Sequence, residues 1–304
     1  MGTQKTISKQ AWAELLLLGI IWGGSFLAIR IALDEVGPLT SVAHRTGWAM
    51  IALWITCAVL RLAPPRDPQI WCAFLFMGLL NNVIPFGLMA WGQLYIESGL
   101  TSILNATTAI FGVIVAAFFF ADERMTQRKG IGVTVGFLGV ATALGLKSFQ
   151  NFDLRSLAQL AVLGGAVSYA FAGVWARRFL ADLAPQIAAA GMLTGSTAIT
   201  VPLAIWFEGP ITLDLQPTTI LAIGYYALIA TAGAYLLYFR VLKMAGSGNL
   251  MLVTLLIPPV AIVLGALLRN ESLSTNAMVG FALLALGLAI MDNRIWRGIA
   301  RSRR

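Results

Sequence analysis

Two stretches decide the fold. Val115-Ala116-Ala117 through Asp122-Glu123-Arg124-Met125 lies over Val263-Leu264-Gly265 through Asn270-Glu271-Ser272-Leu273 when the chain is slid by 148 residues. The register continues beyond that acidic loop: Gly132 falls on Gly280, Leu138-Gly139 on Leu286-Gly287, and Ala141 on Ala289. Each copy reads as an apolar helix, a short polar loop and a glycine-bearing apolar helix. Working outward, apolar runs bounded by charge or Pro/Gly fall at about 11–33, 38–60, 69–94, 98–120, 128–146, 155–176, 185–207, 217–241, 246–268 and 275–293. A bilayer span needs roughly 20 apolar residues. The expectation is therefore an all-α integral membrane protein of ten transmembrane helices, with five-helix halves at 1–148 and 149–304. Five is odd, so the second half must enter the membrane in the opposite sense. That is an inverted-topology repeat, an organisation common among secondary transporters.

Composition points the same way. Of 304 residues 59% are hydrophobic and 11% charged, and mean hydropathy is +0.82, whereas soluble domains carry about 25% charged residues. A sizeable soluble catalytic or nucleic-acid-binding domain has no room. The net charge of +8 is explained by orientation. Lys5, Lys9, Arg61, Arg66, Arg124, Arg128, Lys129, Arg177, Arg178, Arg240, Lys243 and the arginines from Arg294 onward occupy one alternating set of loops and termini. The other set holds only Lys147, Arg155 and Arg269, together with Asp34, Glu35, Glu97, Asp153, Glu208, Asp214 and Glu271. The positive-inside rule then puts both termini in the cytoplasm and leaves no call for nucleic acid as a partner. The first apolar run is too long for a signal-peptide core and reads as a retained span. Cys57 and Cys72 form no disulfide framework, and with a single His and no Asp-rich motif neither a metal nor any other cofactor is expected.

Sites of such carriers lie near the bilayer midplane, where helices are interrupted and polar groups are sheltered by protein. Span one carries Trp22-Gly23-Gly24-Ser25-Phe26, span three Asn81-Asn82-Val83-Ile84-Pro85-Phe86 followed by Met89, and span four Asn105 with Thr107-Thr108. Their counterparts are Gly164-Gly165 and Ser168-Tyr169 in span six, Thr231, Gly233 and Tyr235 in span eight, and Asn249, Thr254 and Pro258-Pro259 in span nine. Trp22, Tyr169, Trp175 and Tyr235 lie deeper than the interfacial Trp12, Trp71, Trp206 and Trp296, which suits them to substrate contact. Pro85 and Pro258 each free a carbonyl four residues back, at Asn81 and Thr254, which must face protein or a water-filled cavity. Gly23-Gly24 serve either close packing or the pathway, and Gly132, Gly136 and Gly139 suit close packing. Spans five and ten, almost wholly small or aliphatic, read as packing or dimer helices, so the working unit is a monomer or a homodimer. His44 and Arg45 lie about two turns inside span two. They form either a polar network with Ser41 and Thr46, or a titratable group beside a partner for a carboxylate. Glu14 is expected among the headgroups at the cytoplasmic end of span one. His44 and Glu14 are the candidates for proton coupling, and so short a list favours facilitated diffusion.

These motifs resemble the drug/metabolite transporter superfamily, specifically the ten-span EamA-type transporters, over essentially the whole chain. The resemblance rests on Trp22-Gly23-Gly24-Ser25-Phe26, on Asp122-Glu123-Arg124 followed by the glycine-rich helix through Gly139, and on Pro258-Pro259-Val260 leading to Asn270-Glu271 and Gly287. Within that group the chain looks most like the YddG-type aromatic amino-acid exporters of bacterial inner membranes. One departure stands out: Ile110-Phe111 occupies the place where the register and the family pattern lead to proline. The resemblance implies an inner-membrane exporter of small metabolites working by alternating access. A pathway of Trp, Tyr, Phe86, Met89 and Asn with almost no fixed charge suits small neutral amphiphiles, such as aromatic amino acids and methionine, with an ammonium over Trp22 or Tyr169. Export of other metabolites or cationic drugs by proton antiport is the alternative. An intramembrane lipid-modifying enzyme is the reading from another class, and it lacks a nucleophile–base–acid set.

Overall fold

The structure is a computed structural model that describes residues 8–121, 125–145, 153–245, 250 and 253–291. Asp122, Glu123, Arg124, Lys147, Asn249, Trp296 and the terminal arginines lie outside the described residues. Among the described residues the chain is helical and without strands. The helices are α1 (Lys9–Ala32), α2 (Pro38–Val59), α3 (Pro68–Gly78), α4 (Ile84–Gly92), α5 (Ser98–Asn105), α6 (Thr108–Phe119) and α7 (Gln127–Leu144). After them come α8 (Leu154–Phe179), α9 (Pro185–Glu208), α10 (Pro217–Gly224), α11 (Ala234–Ala245), α12 (Val253–Arg269) and α13 (Thr275–Met291). Two π-helical segments, π1 (Leu79–Val83) and π2 (Tyr225–Gly233), join α3 to α4 and α10 to α11.

Local chemistry sets the ends. Proline opens α2, α3, α9 and α10, where its missing N–H costs nothing. Ser8, Asp67, Thr126 and Asp153 cap α1, α3, α7 and α8 through their side-chain oxygens. Asp153 is solvent-exposed, and the Ser156 N–H it accepts holds its carboxyl below the usual range. Among the described residues six helical stretches are long and apolar enough to cross a bilayer: Lys9–Ala32, Pro68–Gly92, Ser98–Phe119, Leu154–Phe179, Pro185–Glu208 and Pro217–Ala245. α12 and α13 are apolar but have 17 residues each, about 25 Å of helix. α2 carries His44 and Arg45, and α7 begins with Gln127-Arg128-Lys129, which lowers the apolar content of both.

Packing pairs the two halves in a regular way. α1 lies against α10, π2, α11 and α12, and α2 rests on π2. Correspondingly α8 lies against α3, π1, α4, α5 and α6, and α9 rests on α3. The two groups meet chiefly where α2 crosses α9 and where α5 crosses α12, with lesser contacts of α1 with α5, α2 with α4 and α9 with α11, while α7 and α13 pair with each other beside them. That last pairing is a backbone contact: a Cβ on Gly132 would lie 2.6 Å from the Gly287 carbonyl oxygen, and one on Gly139 2.7 Å from that of Gly280. Gly23 and Gly24 also serve packing. A Cβ on Gly23 would lie 2.9 Å from the Ile257 carbonyl oxygen, and one on Gly24 2.6 Å from the Tyr225 hydroxyl.

The expected proline asymmetry runs the other way. Span four breaks without proline, between Asn105 and Thr108, where Thr107 and Thr108 hydroxyls donate to the Leu104 and Asn105 carbonyls at 2.6 and 2.7 Å. α12 instead continues through Pro258-Pro259. Threonines that bond back to the chain do here what a proline does elsewhere.

Candidate functional site

A cavity of about 850 Å³ lies between the two helix groups. Trp22, Ser25 and Phe26 line it from α1, Ser41 and Arg45 from α2, Asn81 from π1, and Phe86 and Met89 from α4. Asn105 and Thr108 line it at the break in span four, Tyr169 and Arg177 from α8, Thr231 from π2, Tyr235 and Tyr238 from α11, and Thr254 and Ile257 from α12. At one end the lining reaches Phe120 and the 180–184 connection. Among the described residues, none of the connections at the opposite end, which carry Asp34, Glu35, Glu97, Asp214 and Glu271, takes part.

The two π segments sit at matching places, one in each half, and each turns a carbonyl out of the regular ladder. The Trp22 indole N–H donates to the Ala230 carbonyl in π2 at 3.1 Å, and the Ser168 hydroxyl donates to the Leu80 carbonyl in π1 at 2.7 Å. Thr231 bonds back to the Tyr226 carbonyl five residues earlier at 2.7 Å and accepts the Arg45 Nε–H at 2.9 Å. The Arg45 guanidinium also lies 3.8 Å over the Phe86 ring, whose edge contact with Tyr169 completes that wall. Arg45 is 8% exposed. No carboxylate meets it among the described residues, and its two Nη groups carry no bond to the protein there. Opposite in chemistry is Asn105, whose buried Oδ1 has no hydrogen-bond partner among the described residues.

Nine of the expected residues line this cavity: Trp22, Ser25, Phe26, Asn81, Phe86, Met89, Asn105, Tyr169 and Tyr235. Asn82, Pro85, Trp175 and Pro258 do not. Asn82 is fully buried behind Asn81, donating to Ser196 Oγ at 2.8 Å and accepting from the Tyr235 hydroxyl at 3.3 Å, so it positions Tyr235. Pro85 packs against Gly165 on α8. Trp175 donates to the Ala73 carbonyl at 3.0 Å and packs on Phe76 and Phe179. Pro258 is buried one residue beyond the lining Ile257.

The coupling candidates also lie off the cavity. His44 is buried against the Thr212 backbone with its Nε2 unpaired among the described residues. Glu14 pairs with Arg240 at 2.6 Å, bridging α1 and α11. Of the two alternatives for His44 and Arg45, the polar network with Ser41 and Thr46 does not form among the described residues, where Ser41 bonds Tyr226 and Thr46 bonds Thr200.

The expectation of almost no fixed charge is corrected, because Arg45 and Arg177 both line the cavity. Arg177 counts as a loop residue by sequence, but α8 continues to Phe179 and places it over the Phe120 ring at 4.1 Å. Thr231, already marked by its polar character in span eight, lines the cavity, as does Tyr238, which lies near the end of that apolar run and gave no such signal.

A buried, mixed aromatic and polar cavity between paired apolar helix groups is the architecture of a multi-pass membrane transporter. The chain belongs to the EamA-like transporter family, whose model matches it twice, over residues 11–145 and 156–291. It is 26% identical over 290 residues, covering 95% of each chain, to a Streptantibioticus cattleyicolor protein named "Probable terminal-alkyne amino-acid exporter". It is 24% identical over 302 residues, covering 93% of this chain and 95% of the relative, to the Escherichia coli K12 protein named "Probable amino-acid metabolite efflux pump". A solved crystal structure shares the fold at TM-score 0.67 and 16% identity, covering 94% of this chain and 98% of its own.

Proposed function

We propose that this transporter exports small amphiphilic amino acids, aromatic ones and methionine, across the bacterial inner membrane by facilitated alternating access. The observation that carries the reading is the cavity itself. Trp22, Phe26, Phe86, Tyr169, Tyr235 and Tyr238 offer ring faces and edges for an apolar side chain, while Arg45 and the free Asn105 Oδ1 offer the two charge complements of a zwitterion. Two relatives carry amino-acid export in their names. The absence of Asp, Glu and His from the described lining, with His44 and Glu14 both placed elsewhere, favours a uniporter over a proton antiporter.

The halves 1–148 and 149–304 act as inverted five-helix repeats in ten spans, with both termini in the cytoplasm. The match of the family model to each half and the reciprocal packing of α1 and α8 support this arrangement. In that orientation the cavity reaches the cytoplasmic end and is closed outside, the loading state of an exporter. One chain encloses the cavity, which suits a monomer as the working unit.

The test is efflux from proteoliposomes loaded with labelled phenylalanine, tryptophan, methionine or alanine, with and without a pH gradient. Saturable efflux of the first three, indifferent to the gradient, is expected. Gradient-driven flux overturns the uniport mechanism, and no flux of any of them overturns the substrate class.

A further inference from the structure

We propose that Arg45 is the anchor for a carboxylate on the substrate, so that the carrier selects its cargo by that carboxylate and does not require an amino group. The proposal rests on the amino-acid exporter reading and sharpens it. A guanidinium more than nine-tenths buried in an apolar bundle is costly unless something compensates it. Here the compensation is partial. Thr231 accepts from Nε and the Phe86 face lies against the cation, but no carboxylate reaches it among the described residues. These two contacts fix the plane of the guanidinium while leaving Nη1 and Nη2 without a protein acceptor among the described residues, at a residue that lines the cavity. Paired N–H groups of that geometry match the two oxygens of a carboxylate.

The balance of charge excludes the converse recognition. No Asp or Glu lines the cavity among the described residues, and Arg177 adds a second positive charge toward one end. An ammonium group alone would meet only ring faces and Asn105 Oδ1 against an unfavourable field. A carboxylate alone would still be paired. Substrates therefore include aromatic monocarboxylates that lack an amine, whereas aromatic amines and amino-acid amides are disfavoured. A phosphate dianion would need further donors at the same depth, and one guanidinium supplies too few.

The experiment is displacement of labelled phenylalanine from the purified full-length protein in detergent, which reads binding independently of flux. The competitors are 3-phenylpropionate, N-acetylphenylalanine, phenylalaninamide, phenethylamine and phenyl phosphate. Both carboxylates are expected to compete within about 10-fold of phenylalanine, and the amide and amine to be weaker by about 10- to 100-fold, the loss of a charge-assisted pair. Arg45→Gln should weaken phenylalanine by a similar factor and, by removing one of the two cations from the lining, leave phenethylamine no weaker or tighten it, so that the carboxylate preference disappears. Arg45→Lys should restore part of that preference, which a purely structural role would not do. Equal competition by phenylalaninamide and phenylalanine would overturn the anchor while leaving amino-acid recognition standing. Phenyl phosphate competing as well as 3-phenylpropionate would overturn the carboxylate selectivity. Loss of every ligand in both Arg45 variants alike would assign the residue to folding, and no phenylalanine binding in the parent would overturn the exporter reading itself.

Discussion

The end of the molecule that carries the acidic connections should open when two glutamates lose their charge. Glu208, at the end of α9, accepts the Leu39 and Thr40 N–H groups at 2.9 and 2.8 Å, and so satisfies the first turn of α2 from another helix. The α2 N-cap is Gly37, whose missing side chain leaves room for that carboxylate. Glu271 in the same way follows α12 and accepts the Ser98 N–H and hydroxyl at 3.0 and 2.6 Å at the start of α5. These contacts sit at α2–α9 and α5–α12, the two most extensive crossings between the helix groups around α1 and α8. Glu→Gln keeps the shape but exchanges charge-assisted bonds for neutral ones and removes a negative charge from a helix N-terminus. Exposure at Leu39 keeps the effect small, about 1 kcal/mol at each site. The sites share no partner, so the double variant loses about 2 kcal/mol, a shift of about 30-fold toward the state open at this end. Spin labels at Leu213 and Leu94, placed after Cys57 and Cys72 are replaced, report the distance across that end by pulsed electron resonance. The double variant should gain a longer-distance population. Arg155→Gln, which breaks the Glu97 pair between α5 and α8 within one helix group, should leave the distribution unchanged. Identical distributions in the double variant and the parent, with unchanged Tm, would refute the assignment of these carboxylates as closures.

Three further outcomes follow from single contacts. Trp22→Ala removes both a cavity wall and the donor to Ala230, and should lower proteoliposome flux at least 10-fold at equal membrane abundance; Trp22→Phe, which keeps most of the wall, should retain more of it. Gly139→Leu drives a side chain into the Gly280 carbonyl and should lower Tm in detergent by several degrees without changing the substrate preference of the folded fraction, because α7 and α13 stand outside the cavity. His44→Ala should leave flux and its pH profile as in the parent from pH 6 to 8, and a lost pH dependence would return His44 to the mechanism.

The repeat was legible because it is written in punctuation: acidic loops, glycine helices and charge alternation are local and survive substitution of everything between them. The aromatic members of the cavity were legible for a related reason, since a mid-span Trp22 or Tyr169 stands out against aliphatic neighbours. What the sequence concealed is rotation. Trp175 and Trp22 look alike by depth, but α8 turns Trp175 toward α3 and Tyr169 toward the cavity. Arg45 and His44 are adjacent, yet one residue of helix rotation sends the first toward Phe86 and the second toward Thr212. The π segments were hidden as well, because shifting a carbonyl to an i+5 partner needs no distinctive residue.

The placement of those π segments ties the two halves together at the site. Each half's first helix supplies the donor for the other half's displaced carbonyl: Trp22 of α1 serves π2, and Ser168 of α8 serves π1. A carrier that rocks one helix group against the other needs interruptions at mid-span where backbone groups can exchange partners without being stranded in hydrocarbon. π1 and π2 provide them within sheltered protein, and they are matched in position although their donors, an indole and a hydroxyl, are not. The side chains break the symmetry most at α2 and α9. α2 brings Arg45 to the cavity, whereas α9 brings Ala188, Ala189 and Met192. Under the proposed mechanism the cavity faces either side in turn, and a substrate with one carboxylate then needs one guanidinium. A second on α9 would leave an unpaired cation in the membrane whenever the site was filled.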